Sequence, residues 1–206
     1  MDSNGALLAV VARGDPEELR NALGGECNLE VRDEKGKSVL DLAALLGKAA
    51  ALRVLVENGA LVNGCNKSGY GALHWSAVWG QLACLKELVA LGAPHDTKTR
   101  HGETAKDLAA RYNHTECVEF MNCVDAKVTL KAAILGVREI LGDNEKMQGK
   151  WNKDDKTKVT AACNEKLEWL EKMPDAMLAE IEEQRRDFCQ RMEPHLAKLA
   201  SGSDKT

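Results

Sequence analysis

A spacing of 33 residues recurs through the first 125 residues and restricts what they can fold into. Glycines follow it in two series, which are Gly36, Gly69 and Gly102, and Gly14, Gly47 and Gly80. Branched apolar residues follow it as Leu19, Leu52, Leu85 and Val118. These coincident spacings predict a stack of similar units, because one such unit is too thin to bury a core without neighbours.

The unit from Asn66 to Lys98 shows the pattern inside one repeat. A polar turn with Gly69 comes first, and a short segment with helical apolar spacing follows and ends at Gly80. A second such segment ends at Gly92, because glycine readily adopts the left-handed backbone that closes a helix. Each unit is therefore predicted to contain a turn and two helices.

The repeats resemble the ankyrin family. A period of 33 with two helices per unit is typical of that family, and Leu73-His74 and Gly92-Ala93 match its motif. The usual Thr-Pro is replaced in three repeats, by Ser38-Val39, Gly71-Ala72 and Thr104-Ala105. We therefore expect looser first turns rather than another fold. The resemblance implies an all-α ankyrin-repeat solenoid of about four helix-turn-helix repeats over residues 1–125.

The resemblance also implies a structural role for His74. This side chain is expected to hydrogen-bond the backbone of a neighbouring turn and to fix the junction between repeats. Asp41 and Asp107 hold the equivalent places and are expected to act as short polar acceptors. A catalytic role for His74 is disfavoured, because no Ser or Cys nucleophile with an orienting acid is evident.

Residues 126–200 are predicted to form a small helical bundle, followed by a disordered tail at 201–206. The 33-residue register stops after residue 125, and longer helical patterns begin at Ala126. Pro174 is expected to separate the second helix of this bundle from the third, and Pro194 to open a last turn. Trp151 lies in a polar loop, where it is either exposed or caps the bundle.

This bundle is similar to the helical lid of 70-kDa heat-shock chaperones. The matching residues are Gly149-Lys150, Asp155-Lys156, Lys158-Val159, Cys163, Glu165, Trp169-Leu170, Glu182, Arg185, Arg186 and Pro194. The nucleotide-binding domain and the client-binding sandwich of those chaperones are absent, so ATPase activity is not implied. The resemblance leaves open a chaperone-related partner.

Charge and cysteine content narrow the partners and the compartment. The net charge is −4, with 13 basic and 17 acidic residues through Asp125 and 15 of each afterwards, so neither half predicts nucleic-acid binding. Seven cysteines without paired spacing predict reduced thiols and a cytoplasmic location, with the nucleus as an alternative. No stretch is long and apolar enough for a membrane helix. The apolar run Ala6–Ala12 is expected to be the first repeat, not a signal peptide.

No constellation of residues points to catalysis. No glycine-rich phosphate loop and no paired Cys or His spacing of a zinc site is present. We therefore predict a non-enzymatic protein without catalytic residues, metal or cofactor. Four other histidines are expected to be isolated and solvated, namely His95, His101, His114 and His195. Cys163 is interpreted as a buried inert thiol, with a redox-sensitive thiol as the alternative.

Ankyrin stacks bind protein through turn tips and the exposed side of the first helix, and the register gives these positions here. The predicted protein-binding residues are Leu45, Leu46, Lys67, Tyr70, Val78, Trp79, Arg100, Glu103, Arg111 and Tyr112. The same turns also carry Glu34, Lys35, Lys37, Ser68 and His101. Exposed Trp, Tyr and Arg are typical of interface hot spots.

Two arrangements of the aromatic residues remain open. Leu46, Trp79 and Tyr112 are predicted to form a row, one residue per repeat; alternatively, Trp79 folds against its own stack or the bundle. Trp75 shares its register with Leu42 and Leu108 and is predicted to face the core.

Two functions follow from these residues. The first is an interaction scaffold or adaptor that holds a protein partner on the concave ankyrin face. The alternative is a chaperone-type regulator that acts through the lid-like helices.

Overall fold

The computed structural model of the chain describes residues 3–24, 28–33, 35–143 and 151–200. This part of the chain contains ten α-helices and no strand, which confirms the predicted all-α fold. The helices are α1 (Ser3–Arg13), α2 (Pro16–Leu23), α3 (Val39–Leu45), α4 (Ala49–Glu57), α5 (Ala72–Val78), α6 (Leu82–Ala90), α7 (Ala105–Arg111), α8 (Thr115–Gly142), α9 (Lys153–Lys172) and α10 (Leu178–Ala200). Glu34, Gly149-Lys150 and the predicted tail at 201–206 lie outside the described residues.

Paired short helices form the repeats. The first helices pack in the order α1, α3, α5, α7, and the second helices α2, α4 and α6 pack in parallel order beside them. One hydrophobic core runs through all of these layers and includes Leu19, Leu52 and Leu85, which have no exposed surface. The 33-residue register of these leucines therefore marks the interior of a stack, as the sequence predicts.

The first repeat is a regular member of the stack. Helix α1 buries Leu7, Val10 and Val11 in the shared core, so the apolar run at Ala6–Ala12 serves as a repeat helix. The carboxylate of Asp15 caps α2 by accepting the backbone N–H of Glu17 at 2.9 Å. A proline in the first turn completes this helix start.

The expected loosening of the first turns is not observed. The turns that begin at Asp33, Asn66 and Thr99 each close with a backbone hydrogen bond of 2.8–2.9 Å to the carbonyl four residues later. Side-chain oxygens of the same three residues accept backbone N–H groups inside the turn. These hydrogen bonds order the turns that come just before the positions where Thr-Pro is missing.

Helix starts in the second and fourth repeats use capping boxes. The Ser38 hydroxyl accepts the Asp41 N–H at 3.1 Å, and the Asp41 carboxylate accepts the Ser38 N–H at 2.9 Å. Thr104 and Asp107 form the same pair, with distances of 3.2 and 2.9 Å. Both aspartates thus act as the polar acceptors that the register indicates.

The chain divides into two compact units, Met1–Met121 and Asn122–Thr206. A new helix was expected at Ala126, but α8 runs from Thr115 to Gly142 without interruption. Its sequence has no proline and only Gly136 before its end, so nothing local stops the helix. The predicted domain boundary after residue 125 remains a prediction.

The second unit buries one core of its own, in which Leu130, Ile134, Val159, Ile181 and Phe188 are almost fully enclosed. The Lys166 ammonium group is also buried, where it donates to Gln184 Oε1 at 2.6 Å and pairs with the Asp187 carboxylate at 2.5 Å. These polar contacts join α9 to α10, because Lys166 lies on the former and its partners on the latter.

One detail of this unit differs from the sequence-based expectation. Pro194 lies inside α10 and does not open a separate turn. Packing holds the helix together there, since Met192 is buried before the proline and Leu196 and Leu199 join the core after it. Of the two arrangements left open for Trp151, the structure has the buried one, in which the indole N–H donates to the His195 carbonyl at 2.8 Å.

Candidate protein-interaction surface

Large apolar side chains stand exposed at the end of three successive first helices. Leu46, Trp79 and Tyr112 are the C-cap residues of α3, α5 and α7, with 38%, 55% and 50% of their surface accessible. Each precedes a residue with a left-handed backbone, at φ values of 74°, 65° and 60°. The sharp chain reversal at these residues leaves the preceding side chain outside the core.

An aromatic pair lies at the base of the third turn. The rings of Tyr70 and Trp75 have centroids 5.2 Å apart, and the ammonium group of Lys37 lies 5.0 Å from the Trp75 ring centroid. The indole N–H of Trp75 is buried without an acceptor in the described part of the chain. Trp75 is thus half-buried between the core and the turns, not fully interior as Leu108 is.

The remaining predicted residues differ in accessibility. Lys67 and Arg100 are exposed at the turn tips, whereas Leu45 and Val78 are half-buried on their helices. Glu103 is largely covered and forms an ion pair with Arg111, beside the exposed Tyr112. We call the three turns together with the exposed sides of α3, α5 and α7 the candidate face.

Side chains from successive repeats hold the candidate face in register. Gln81 and His114 occupy equivalent places before α6 and α8, and each donates to a carbonyl of the preceding repeat. The Gln81 amide reaches Leu45 O at 3.4 Å, and His114 Nε2 reaches Val78 O at 3.0 Å. These two carbonyls belong to residues just before the exposed Leu46 and Trp79, so the bonds fix where those side chains emerge.

The sequence did not predict these two hydrogen bonds between repeats, because His114 was expected to be solvated. The signal was present in the register, because a long polar residue follows the glycine or asparagine that closes the first helix of the second, third and fourth repeats, as Lys48, Gln81 and His114. His195 was also expected to be solvated, but it is half-buried, with Nδ1 3.2 Å from an Asp155 carboxylate oxygen. His101 is exposed, as expected, and His95 is half-buried.

His74 has the structural role that the resemblance implies. Its Nδ1 accepts the Gly71 N–H at 3.2 Å, and Nε2 therefore carries the proton and donates to Thr97 O at 3.1 Å. Burial lowers the pKa of this histidine, which keeps the ring neutral in that arrangement. The Nδ1 bond thus caps the start of α5, and the Nε2 bond ties this helix to the segment just before the next turn.

Burial also shifts the pKa values of two cysteine thiols. Burial raises the pKa of Cys84 to about 11 and raises that of Cys163 above its ordinary value, which disfavours the reactive thiolate. Six cysteines within the described ranges are all free thiols. Those same ranges contain no group of three or more His, Cys, Asp or Glu side chains that could hold a metal ion. They also contain no helix long and apolar enough to cross a bilayer.

Comparison with known proteins agrees with this architecture. A family model described as ankyrin repeats (3 copies) matches residues 6–99 and 65–132. The chain therefore belongs to the ankyrin-repeat family, whose repeats form protein–protein interaction domains.

Three relatives share a single description. Proteins called ankyrin repeat domain-containing protein 45 from Homo sapiens and Mus musculus are each 37% identical over 91% of this chain, covering 70% and 75% of their own lengths. The protein of that name from Danio rerio is 40% identical over 64% of this chain. The match spans 58% of that relative's length.

Proposed function

We propose that this chain is a non-enzymatic adaptor that binds a protein partner on the concave side of its ankyrin stack, at the candidate face. The exposure of Leu46, Trp79 and Tyr112 at one repeated position carries the proposal. Exposed large apolar side chains at equivalent places gain free energy when a partner covers them, and Trp and Tyr dominate such interfaces. The six free thiols support a reducing compartment, which we take to be the cytoplasm or the nucleus.

The double variant Trp79→Ala with Tyr112→Ala tests this proposal. Partner capture by the full chain should fall at least about tenfold, because each hot-spot truncation costs about 1–2 kcal/mol or more. The helical circular dichroism should stay unchanged, since both side chains project from the fold.

A matched control is Leu61→Ala, which removes another exposed apolar side chain, 61% accessible, outside the three turns and first helices. It should retain the partner. Unchanged capture by a folded double variant would reject the candidate face as the binding site.

One observation favours the alternative, a chaperone-type regulator. An apolar groove of about 950 Å³ lies between α8 and α10, lined by Ala133, Val137, Phe188, Met192 and Leu196 among others. Its occupant would be an apolar segment of an unfolded client polypeptide. In the same capture experiment, loss with Ala197→Glu and retention by the double variant would favour this alternative.

A further inference from the structure

Basic side chains occupy the tips of three successive turns in a chain whose net charge is negative. Lys35, Lys67 and Arg100 are all exposed, and they stand in the second, third and fourth repeats. The backbone N–H of Arg100 donates to Ser68 O at 3.0 Å, so neighbouring tips are joined directly. The chain as a whole carries −4, and the sign at these tips is therefore a local feature.

The carboxylates near the tips are engaged within the fold. Asp33 Oδ1 accepts the backbone N–H groups of Lys35 and Lys37 at 2.9 and 2.8 Å. Glu103 is paired with Arg111. Among the described residues, no carboxylate lies within ion-pair distance of Lys35, Lys67 or Arg100. Glu34 adds one negative charge to the sequence of the second turn, outside those residues.

A polar depression lies between the turn tips of the second and third repeats. Its volume is about 500 Å³, and Arg32, Lys35 and Lys67 contribute to its walls. The Arg32 guanidinium group is fixed there, since it donates to Gly36 O at 3.0 Å and lies 3.6 Å from the Asp41 carboxylate. Asp33 also lines this depression, which has room for acidic side chains close to three cationic groups and this one carboxylate.

The cationic tips adjoin the aromatic part of the candidate face. Lys37 follows the second tip and lies over the ring of Trp75, which stacks with Tyr70. Trp79 lies one helical turn after Trp75 on α5, and Tyr112 holds the matching place on α7. A ligand lying across the repeats thus meets positive charge along the turns and aromatic surface along the helices.

We propose that the partner presents an acidic polypeptide segment with at least one large apolar side chain. Its carboxylates lie opposite Lys35, Lys67 and Arg100, and its apolar side chain covers Trp79 and Tyr112. This inference rests on the proposed function, and it specifies the chemistry of the partner. Complementary charge at such a rim speeds association and selects among partners.

The balance of charge favours a peptide over a nucleic acid. Residues 1–125 carry 17 acidic and 13 basic side chains, so a long polyphosphate is repelled by most of that surface. A short acidic segment responds mainly to charges within about 8–10 Å, which is the screening length at physiological salt. Lys35, Lys67 and Arg100 place three exposed positive charges at the tips themselves.

The test is selection of random peptides of about 12 residues, displayed on phage, on the immobilised full chain. Enriched peptides are synthesised with a fluorescent label, and their affinity is measured by anisotropy. We expect net negative peptides that contain Leu, Phe or Trp. The triple variant Lys35→Glu, Lys67→Glu, Arg100→Glu should weaken their binding at least about tenfold, and added salt should weaken it in the wild type.

The matched control is Lys131→Glu, Lys156→Glu, Arg185→Glu, which makes the same change of charge at exposed sites of the second unit. It should bind as the wild type does. Enrichment of neutral or basic peptides, no enrichment, or equal binding by both triple variants would overturn the acidic segment. The proposed function would still stand if Trp79→Ala with Tyr112→Ala lost the partner. If a labelled oligouridylate of similar length bound more tightly than the enriched peptides, the acidic-segment proposal would be overturned in favour of a nucleic-acid ligand.

Discussion

Asp41 and Asp107 occupy the same position of the repeat, but their pKa values are shifted in opposite directions. Both cap a first helix, but Asp41 is completely buried and Asp107 is exposed. Burial raises the pKa of Asp41 to about 6, although Ser38 hydrogen bonds and Arg32 act against the shift. Hydrogen bonds from Thr104 lower the pKa of Asp107. The register identifies both residues as acceptors, whereas the sign of each shift depends on what covers them.

Asparagine at these two positions should therefore act in opposite directions. At neutral pH, Asp41→Asn should raise the free energy of unfolding, because an amide keeps the Ser38 contact without a buried charge. The gain should be smaller than the about 3 kcal/mol that the full pKa shift represents, because the amide N–H group has no acceptor at the Oδ1 position and the ion pair with Arg32 is lost. Asp107→Asn should lower it, because the amide loses charge-assisted bonds. Urea unfolding followed by circular dichroism measures both effects.

The pH dependence separates these effects from simple repacking. The native state binds the Asp41 proton more tightly than the unfolded chain, so this group's contribution falls as pH rises from about 4 to about 6. Asp41→Asn should abolish that fall. The Asp107 contribution is instead present above about pH 4 and lost as the pH falls below it. An Asp41→Asn variant with an unchanged pH profile would contradict the assignment.

Much of the candidate face was predictable at the residue scale. The place of Trp79 and Tyr112 before a left-handed residue follows from the repeat period alone, and both are exposed. The use of His114 and the half-burial of Trp75 did not follow, because they depend on side chains about one repeat away. Sequence spacing shows which residues are equivalent but does not show what lies across from each one.

At the scale of elements, Gly80 is constrained by its own backbone and by the next repeat. Its φ is +65°, and a Cβ there would lie 2.5 Å from the His114 ring. Gly92 has a similar backbone, with φ of +87°, and open space around it. The two glycines both have a left-handed backbone, and the contact with the next repeat is found only at Gly80.

Alanine at these glycines should measure that contact. Gly92→Ala should cost about 1–2 kcal/mol from the left-handed backbone alone. Gly80→Ala should cost a further 1–3 kcal/mol or so, because His114 must move and its bond to Val78 O is lost. Urea unfolding of the two variants, with His114→Ala added to each, checks this.

The added substitution should recover part of the extra cost at Gly80 and nothing at Gly92. Equal costs for the two glycines would show that the His114 contact contributes nothing to stability.

Helix boundaries were predictable where a local stop signal exists. Asp15-Pro16 and the closing glycines give the ends of the short helices correctly. The uninterrupted course of α8 was not predicted, because the end of the 33-residue register suggested a helix boundary although no local stop signal lies there. The passage of α10 through Pro194 was not predicted, because tertiary packing decides it. At Pro194, the buried Met192 and the Trp151 bond to His195 O support backbone that the proline would otherwise weaken.

Across the whole molecule, the two units should respond differently to acid. In the second unit, hydrogen bonds from Lys198 and Lys166 lower the pKa values of Asp155 and Asp187, so protonation removes stabilising pairs. In the first unit, protonation of Asp107 also removes stabilising hydrogen bonds, but protonation of Asp41 removes an unfavourable buried charge and offsets that loss. Stability should therefore fail first in the second unit as pH falls below about 4.

Hydrogen–deuterium exchange read by mass spectrometry tests this difference. After correction for intrinsic exchange, peptides from α9 and α10 should lose protection at a higher pH than peptides from α3 and α4. Asp41→Asn serves as a control, because it should leave α9 and α10 unaffected. Loss of protection in α3 and α4 at a higher pH than in α9 and α10 would contradict the predicted order.

The bonds from Gln81 and His114 run from a later repeat to an earlier one. On the ribosome, the carbonyls of Leu45 and Val78 are synthesised before the side chains of Gln81 and His114, which donate to them. A growing chain can therefore add each unit to a surface that is already complete. Whole repeats should therefore be the units that are most readily gained or lost in evolution, because an added repeat brings with it the side chain that bonds to the repeat before it.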